Sequence, residues 1–259
     1  MTIVLNENEW AKEMIETHSL GKRAFETLTR VARYYLDEGM SKRETRRMLD
    51  EFLLRCDPSA PLPRWTDTLD WALNRALKSK AVKIDYIPIM SEEMDRIDAL
   101  EGRQIRRLAF ALLCLSKYWD IVNPHGDHWV NTRQQEIMKM ANAEPSLKRQ
   151  GAMYNALHQL GYVEFSKKVD NTNVRVLFGG GENEIMRVSD FRNLGYQYLM
   201  FHGESYFECE NCGIVTKYTP PERGSGRRPK YCRDCAEEVH MKQMVNAVMR
   251  YRGKPAAYS

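Results

Sequence analysis

Two C-x-x-C pairs near the end of the sequence constrain this chain more than any other feature. Cys209 and Cys212 form the first pair, Cys232 and Cys235 form the second, and 19 residues separate the two pairs. Four thiolates with this spacing are typical of a structural zinc site, whose closed tetrahedral shell leaves no position for a reacting water. We therefore expect one zinc ion that stabilises the fold and takes no part in catalysis.

The residues around the cysteines predict a small metal-dependent module. Gly213 supplies the backbone freedom that a turn after the first pair needs. The second pair runs directly into a helical segment, Ala236 to Arg250. A cysteine turn, a hairpin and a second cysteine pair at a helix start resemble a treble-clef zinc finger. Between the pairs we expect a flexible basic loop that either contacts phosphate or is merely mobile; its basic residues are Arg223, Arg227, Arg228 and Lys230.

Composition favours a cytoplasmic protein. The 259 residues are 43% hydrophobic and 29% charged, and the net charge of +4 permits nucleic-acid binding without establishing it. No apolar run approaches the roughly 18 residues of a membrane span, and the start lacks the pattern of a signal peptide. Thiols arranged for a metal argue for a reducing compartment. Cys56 and Cys114 stand apart from the motif, and we expect them to be small core residues.

Residues 1–81 are predicted to form a helical N-terminal domain. Apolar residues recur at helical spacing from Phe25 to Leu36, and Ser41 with Glu44 forms a capping box that opens the next helix. After a proline-rich link, a third helix has five residues predicted on its buried side: Leu69, Ala72, Leu73, Ala76 and Leu77. This stretch resembles the small helical domain at the C-terminus of some plasmid and phage primases.

Residues 91–180 have the element order of a winged helix-turn-helix. An apolar helix around Leu108–Leu115 precedes the short strand Trp129–Val130, and Asn131-Thr132 is predicted to cap the next helix. Ser146 begins another helix, on which Leu147 and Leu160 are expected to face the core. Two alternating segments, ending near Phe178, then predict a hairpin.

The basic and amide residues of this region suggest contacts with a DNA duplex. On the helix that begins at Ser146, Lys148 and Arg149 would contact phosphate or guanine, while Asn155 and Gln159 are types that pair with adenine. The wing of the hairpin adds Lys167, Lys168 and Arg175. From Asn131 to Phe178, seven basic residues stand against four acidic ones, an excess of +3. The alternative is a winged helix used for protein contacts.

The remaining segments predict packing rather than chemistry. Gly179–Gly181 marks a turn or hinge, and the aromatic stretch from Phe191 to Phe201 is expected to anchor the small metal module. His125 and His128 lie in a loop with no partner motif, and the sequence has no phosphate-binding glycine loop or nucleophile elbow. The predicted fold class is mainly α, with residues 1–81 as a helical domain, 91–180 as a winged helix and 185–259 as an α+β zinc module. An enzyme is not expected.

The whole chain resembles bacteriophage and mobile-element proteins that join a helical region, a winged helix and a C-terminal zinc finger. The residues that carry this resemblance are the 131–178 pattern and the four cysteines. The resemblance implies a non-catalytic DNA-binding role in replication initiation or transcriptional control. The alternative is a phage-encoded protein that binds and modulates a host nucleic-acid machine, such as a CRISPR effector or a polymerase.

The expected partners follow from these two readings. Double-stranded DNA is the first, and RNA or a host nucleoprotein complex is the alternative; no membrane partner is expected. A homodimer formed through the N-terminal helices is a further hypothesis.

Overall fold

The computed structural model describes residues 3–143, 146–168, 173–220 and 228–252. Their helices are α1 Glu7–Glu16, α2 Ala24–Asp37, α3 Lys42–Cys56, α4 Leu62–Ala76, α5 Ser91–Asp98, α6 Arg103–Val122, α7 Gln134–Met140, α8 Leu147–Gln159, α9 Leu194–Phe201 and α10 Arg233–Arg252. Their strands are β1 Ile87–Met90, β2 Trp129–Val130, β3 Val163–Phe165, β4 Val174–Val176, β5 Glu184–Val188, β6 Tyr206–Glu208 and β7 Val215–Lys217. The described part of the chain is therefore mainly α, with small sheets. Within it, no helix has both the length and the apolar composition that crossing a bilayer requires.

The chain divides into two units, Met1–Ile87 and Pro88–Ser259. In the first unit, α2 packs against α1, α3 and α4 around a core that includes Leu28, Leu49 and Leu69. The predicted capping box is confirmed: the Ser41 hydroxyl accepts from the Glu44 backbone N–H, and the Glu44 carboxylate accepts from the Ser41 N–H. Helix α3 therefore begins where its local sequence satisfies the free N–H groups of its first turn.

A buried carboxylate organises the first unit. Glu7, 3% exposed, accepts from Arg33 at 2.8 Å and from Arg30 at 3.2 Å. The backbone of Val82 both donates to the Glu7 carboxylate and accepts from the Glu7 N–H. Arg30 also stacks over the Trp10 ring at 5.0 Å. The two arginines compensate the cost of burying the carboxylate, which otherwise would be large.

The second unit is built on α6. Its residues from Leu108 to Leu115 are fully buried, and it contacts α5, α7, α8, α9, β2 and β4. The three-stranded sheet has the order β2-β4-β3 and is antiparallel, with Trp129 opposite Arg175 and Phe165 opposite Val174. Two further sheets pair β1 with β5 and β6 with β7. The expectation that Cys114 is a core residue is confirmed, since it is fully buried.

A second buried carboxylate holds the glycine-rich segment after the hairpin. Glu93 on α5 is fully buried and accepts from the Lys117 ammonium at 2.7 Å and from the Gly180 N–H at 2.7 Å. Lys117 also donates to the Pro88 carbonyl. At Gly181, whose φ is +152°, a Cβ atom would lie 2.8 Å from that of Met90, so a side chain does not fit there. Residues 179–181, predicted to be a turn or hinge, have no assigned turn and are tied to α5 and α6 through Glu93.

Several local predictions were wrong at positions where tertiary contacts determine whether a side chain is buried or where a helix begins. Leu77 follows the end of α4 and is 49% exposed. Thr132 caps no helix; its hydroxyl accepts from the Trp119 indole N–H, and α7 begins after Arg133. On α8, Tyr154 and Leu157 are buried, whereas the terminal residues Leu147 and Leu160 are exposed. Burial on α8 is therefore narrower than its apolar spacing predicts, since it is confined to Tyr154 and Leu157.

Candidate functional site

The four cysteines of the two C-x-x-C motifs converge in the second unit. The Sγ atoms of Cys209, Cys212, Cys232 and Cys235 all lie within 4.8 Å of one another. Cys209 and Cys235 are buried, and the other two are half-buried. A tetrahedral ion with Zn–S distances of about 2.3 Å fits four sulfurs at such separations. Of the residues that the structure describes, these four are the one group with the chemistry and proximity to hold a metal ion.

Backbone N–H groups surround the first sulfur. The Cys232 N–H donates to the Cys209 Sγ at 3.2 Å. Burial alone would raise the pKa of the Cys209 thiol, but N–H groups of Cys232, Cys212 and Asn211 lower it to about 6. Burial raises the pKa of Cys212 to about 12 and also raises that of Cys232. The backbone N–H groups thus favour the thiolate of Cys209, whereas burial favours the neutral thiols of Cys212 and Cys232.

The elements on either side fix the two cysteine pairs. Strands β6 and β7 form a hairpin that carries the first pair in its connection, and Gly213, with a φ of +71°, donates to the Cys209 carbonyl. The second pair opens α10, where the Ala236 N–H donates to the Cys232 carbonyl at 2.8 Å. The Glu210 N–H donates to the Lys230 carbonyl, which ties the two motifs together.

Helix α9 joins the metal module to the rest of the second unit. Asn193, in a left-handed conformation, donates to the Val215 carbonyl at 2.9 Å and accepts from the Asn142 side chain at 2.9 Å. Gly195 packs so closely on the end of α7 that a Cβ would lie 1.9 Å from the Ala141 carbonyl oxygen. Phe191, Leu194, Tyr198 and Leu199 are buried. The expectation that this aromatic stretch anchors the module is confirmed.

Helix α8 presents the four predicted contact residues to solvent. Lys148, Arg149, Asn155 and Gln159 are all exposed, while the helix is held by buried Tyr154 on its other side. The side chains of these four residues form no hydrogen bond or ion pair with another described residue. Their polar groups are therefore available to a ligand.

The hairpin that follows α8 carries a shallow groove. The groove measures about 490 Å³ and is lined by Trp129, Glu164, Phe165, Ser166, Lys167, Lys168, Asn173 and Arg175. Lys167 and Lys168 are exposed. Arg175 is different: it bonds to Asp127 at 2.6 Å and lies 3.7 Å from Glu164, so acidic neighbours already compensate its charge. Arg175 is thus less suited than the two lysines to bind phosphate.

The basic loop between the cysteine pairs is only partly described. Arg228 donates to the Tyr206 carbonyl at 2.7 Å and lies over the Tyr218 ring, so it stabilises the module itself. Lys230 is exposed and pairs with Glu210 at 3.3 Å. Arg223 and Arg227 lie outside the described residues.

Two further polar groups at the cluster were absent from the sequence-based prediction. The Asn211 amide donates to the Cys235 Sγ at 3.3 Å, and Arg192 donates to the Cys212 carbonyl at 2.5 Å. The contact of Asn211 could have been predicted from the sequence, because Asn211 lies inside a C-x-x-C motif. The contact of Arg192 could not, because Arg192 is distant in sequence from both motifs. His128 bonds to Asp120, and the neighbouring Asp127 bonds to Arg175.

Comparisons with known proteins assign no family to this chain, so the residues of the site are the basis for its function. No protein-family model, no curated protein and no solved structure matches the chain.

Proposed function

We propose that this chain is a non-catalytic DNA-binding protein that reads a duplex with α8 and contacts its backbone with the β3–β4 hairpin. The single observation that carries the proposal is the exposed face of α8. It places two cations in the first turn and two amides about two and three turns further on. The side chains of these four residues have no partner among the described residues. Cations suit phosphate or guanine, and amides suit adenine.

The arrangement of elements supports the same proposal. The order α6, β2, α7, α8 and a β3–β4 hairpin, with the sheet order β2-β4-β3, agrees with a winged helix-turn-helix. In this fold the helix before the hairpin enters the major groove and the hairpin reaches the flanking backbone. Lys167 and Lys168 would then lie where phosphates pass, at the end of the hairpin.

We further propose that the four-cysteine cluster holds zinc in a treble-clef module. Four thiolates in a closed shell suit a structural Zn²⁺ and leave no open position for a substrate. A role in phage or mobile-element replication or transcription is part of the same proposal. It rests on the combination of a winged helix with a small metal module.

The test is fluorescence anisotropy of the metal-loaded chain with labelled duplex DNA, single-stranded DNA and RNA across a salt series. We expect duplex binding with a log–log salt slope that shrinks by about 0.9 for each phosphate contact removed. The test variant is Lys148→Ala/Arg149→Ala. Its matched control is Lys78→Ala/Lys80→Ala, which removes the same charge from exposed positions elsewhere.

The outcomes separate the proposal from its alternative. Loss of duplex affinity in the test variant and not in the control supports the proposal. Equal losses in both would show only a general attraction of a basic protein to DNA. The second candidate, a protein-binding modulator of a host nucleic-acid machine, is favoured by Leu147, which is 76% exposed beside the two cations. Absence of duplex binding in the parent chain would transfer support to that candidate.

A further inference from the structure

Helix α10 carries a row of large apolar side chains that lie in solvent. Five of them are between 46% and 69% exposed; they are Met241, Met244, Val245, Val248 and Met249. We refer to these five residues as the α10 stripe. No helix or strand of the described chain packs extensively on α10.

The spacing of the α10 stripe places it on one face of the helix. Its members stand at positions 0, 3, 4, 7 and 8 of a helical repeat, which is the pattern of an amphipathic helix that buries one side. Lys242, Gln243, Asn246 and the small residue Ala247 occupy the remaining positions between 241 and 249. Contiguous exposed apolar surface rimmed by polar residues marks an interaction site in soluble proteins.

The charges along α10 change sign from one end of the stripe to the other. Residues 233–240 contain one basic and three acidic residues, whereas residues 241–252 contain three basic residues and no acidic one. Glu237 and Glu238 lie one turn before Met241, so they flank the acidic end of the stripe. Arg250 and Arg252 follow Met249 in the same helix. The charges of α10 are therefore complementary to those of a second α10 that runs in the opposite direction.

We propose that α10 pairs with α10 of a second copy of this chain in an antiparallel arrangement about a two-fold axis near Val245. In this register Met241 lies opposite Met249 of the other copy, and Glu238 lies opposite its Arg252. A two-fold interface is self-complementary and closed, so it yields a dimer and not a fibre. Parallel pairing would put acid beside acid and base beside base, which is unfavourable.

The charge pattern selects a second copy over a different kind of partner. A surface built for a nucleic acid would be basic throughout, and one built for a basic protein would be acidic throughout. The α10 stripe is apolar, with acidic residues before it in the helix and basic residues after it. A helix of 20 residues is about 30 Å long, and only its central part is apolar. The contact is accordingly small, and the dimer should dissociate on dilution.

The test is sedimentation velocity of the full-length, metal-loaded chain from low to high micromolar concentration. We expect a monomer–dimer equilibrium whose dissociation constant rises at least about tenfold in Val245→Lys. The matched control is Gln243→Lys, which adds the same charge on another face of the helix. Because both positions are exposed, neither change should alter metal content or the unfolding transition, and these are measured alongside.

A charge exchange tests the antiparallel orientation. Glu238→Lys and Arg252→Glu should each weaken the dimer, and the double variant should restore it. A monomer at every concentration, a dimer indifferent to Val245→Lys, or a double variant no tighter than the single ones would overturn the proposal. None of these measurements involves DNA, so their outcome is independent of the proposed DNA binding.

Discussion

Gly195 shows how a single residue can fix the position of the metal module. Its α-carbon packs against the end of α7, where any Cβ would overlap the Ala141 carbonyl oxygen. The neighbouring Asn193 links the same place to β7 through its side chain. A backbone carbonyl cannot rotate away as a side chain would, so the contact requires glycine.

We expect Gly195→Ala to lower the free energy of unfolding by about 1–3 kcal/mol, because the added methyl overpacks a backbone contact. Gly151→Ala is the matched control. Gly151 also lies in a helix, but a Cβ there meets no atom within 4 Å. That change should stabilise the chain by roughly 0.4–1 kcal/mol. Urea unfolding of both variants checks the prediction, and two stabilised variants would contradict it.

Glu93 gives a second prediction at this scale. Glu93→Gln keeps the shape of the side chain but leaves the Lys117 ammonium, 19% exposed, without its counter-ion. We expect the free energy of unfolding to fall by roughly 3 kcal/mol, the lower end for a broken buried pair, because Lys117 keeps some contact with water.

The control for Glu93 is Asp95→Asn, an acid-to-amide change at an exposed position of the same helix. It should alter stability by no more than about 0.5 kcal/mol. The two variants are compared by urea unfolding at the same pH. An equal, small effect of both would mean that the Glu93–Lys117 pair contributes little.

At the scale of elements, local sequence predicted what local contacts determine. The capping box of α3 depends on two residues in one turn, so Ser41 and Glu44 were enough to locate the helix start. Likewise, the spacing of the four cysteines was enough to predict that they form one cluster. The exposure of Leu147 and Leu160 could not be predicted in this way, because α8 follows the helical period whether or not another element covers its ends.

Buried charges were missed for a related reason. The partners of Glu7 lie 23 and 26 residues away, and Glu93 bonds to a backbone group 87 residues away. Nothing in the residues adjacent to either glutamate indicates that it is buried. Apolar periodicity can predict the face of a helix, but it carries no information about the distant charges that compensate a carboxylate.

The metal module yields a prediction for its elements. Cys232→Ser should abolish stoichiometric metal binding, since a three-thiolate shell with one hydroxyl is a weaker ligand set, whereas Cys56→Ser should retain it because Cys56 lies in the first unit. Elemental analysis of the purified proteins gives the number of metal ions per chain. We expect about one zinc per chain in the parent and in Cys56→Ser. Retention of the metal by Cys232→Ser would contradict the assignment of that ligand.

At the scale of the whole molecule, the first unit has its own hydrophobic core, as a segment that folds independently requires. Its core is formed by residues of α1 to α4, and the Glu7 network closes it onto Val82. A fragment of residues 1–86 ends before β1 and keeps all of these contacts. The metal cluster, in contrast, belongs entirely to the second unit.

We therefore expect the fragment 1–86 to unfold cooperatively in urea with a helical circular dichroism spectrum, and a chelator should leave its midpoint unchanged. In the full chain the same chelator should destabilise only the second unit, because the proposed zinc ion would bind only the folded form of that unit. The comparison is made by circular dichroism with and without chelator. A fragment that is unfolded, or that responds to the chelator, would contradict this division.

Cys235 belongs to two structures at once. Its sulfur is one of the four in the cluster, and its backbone lies in the first turn of α10, which extends for 20 residues from that point. Metal binding at the first turn and pairing along the helix would both order α10, so each would favour the other to the same extent. Under the two proposals made above, dimer formation through α10 should tighten metal binding at the cluster, and loss of the metal should weaken the dimer. The oligomeric state of this chain would then depend on the zinc concentration.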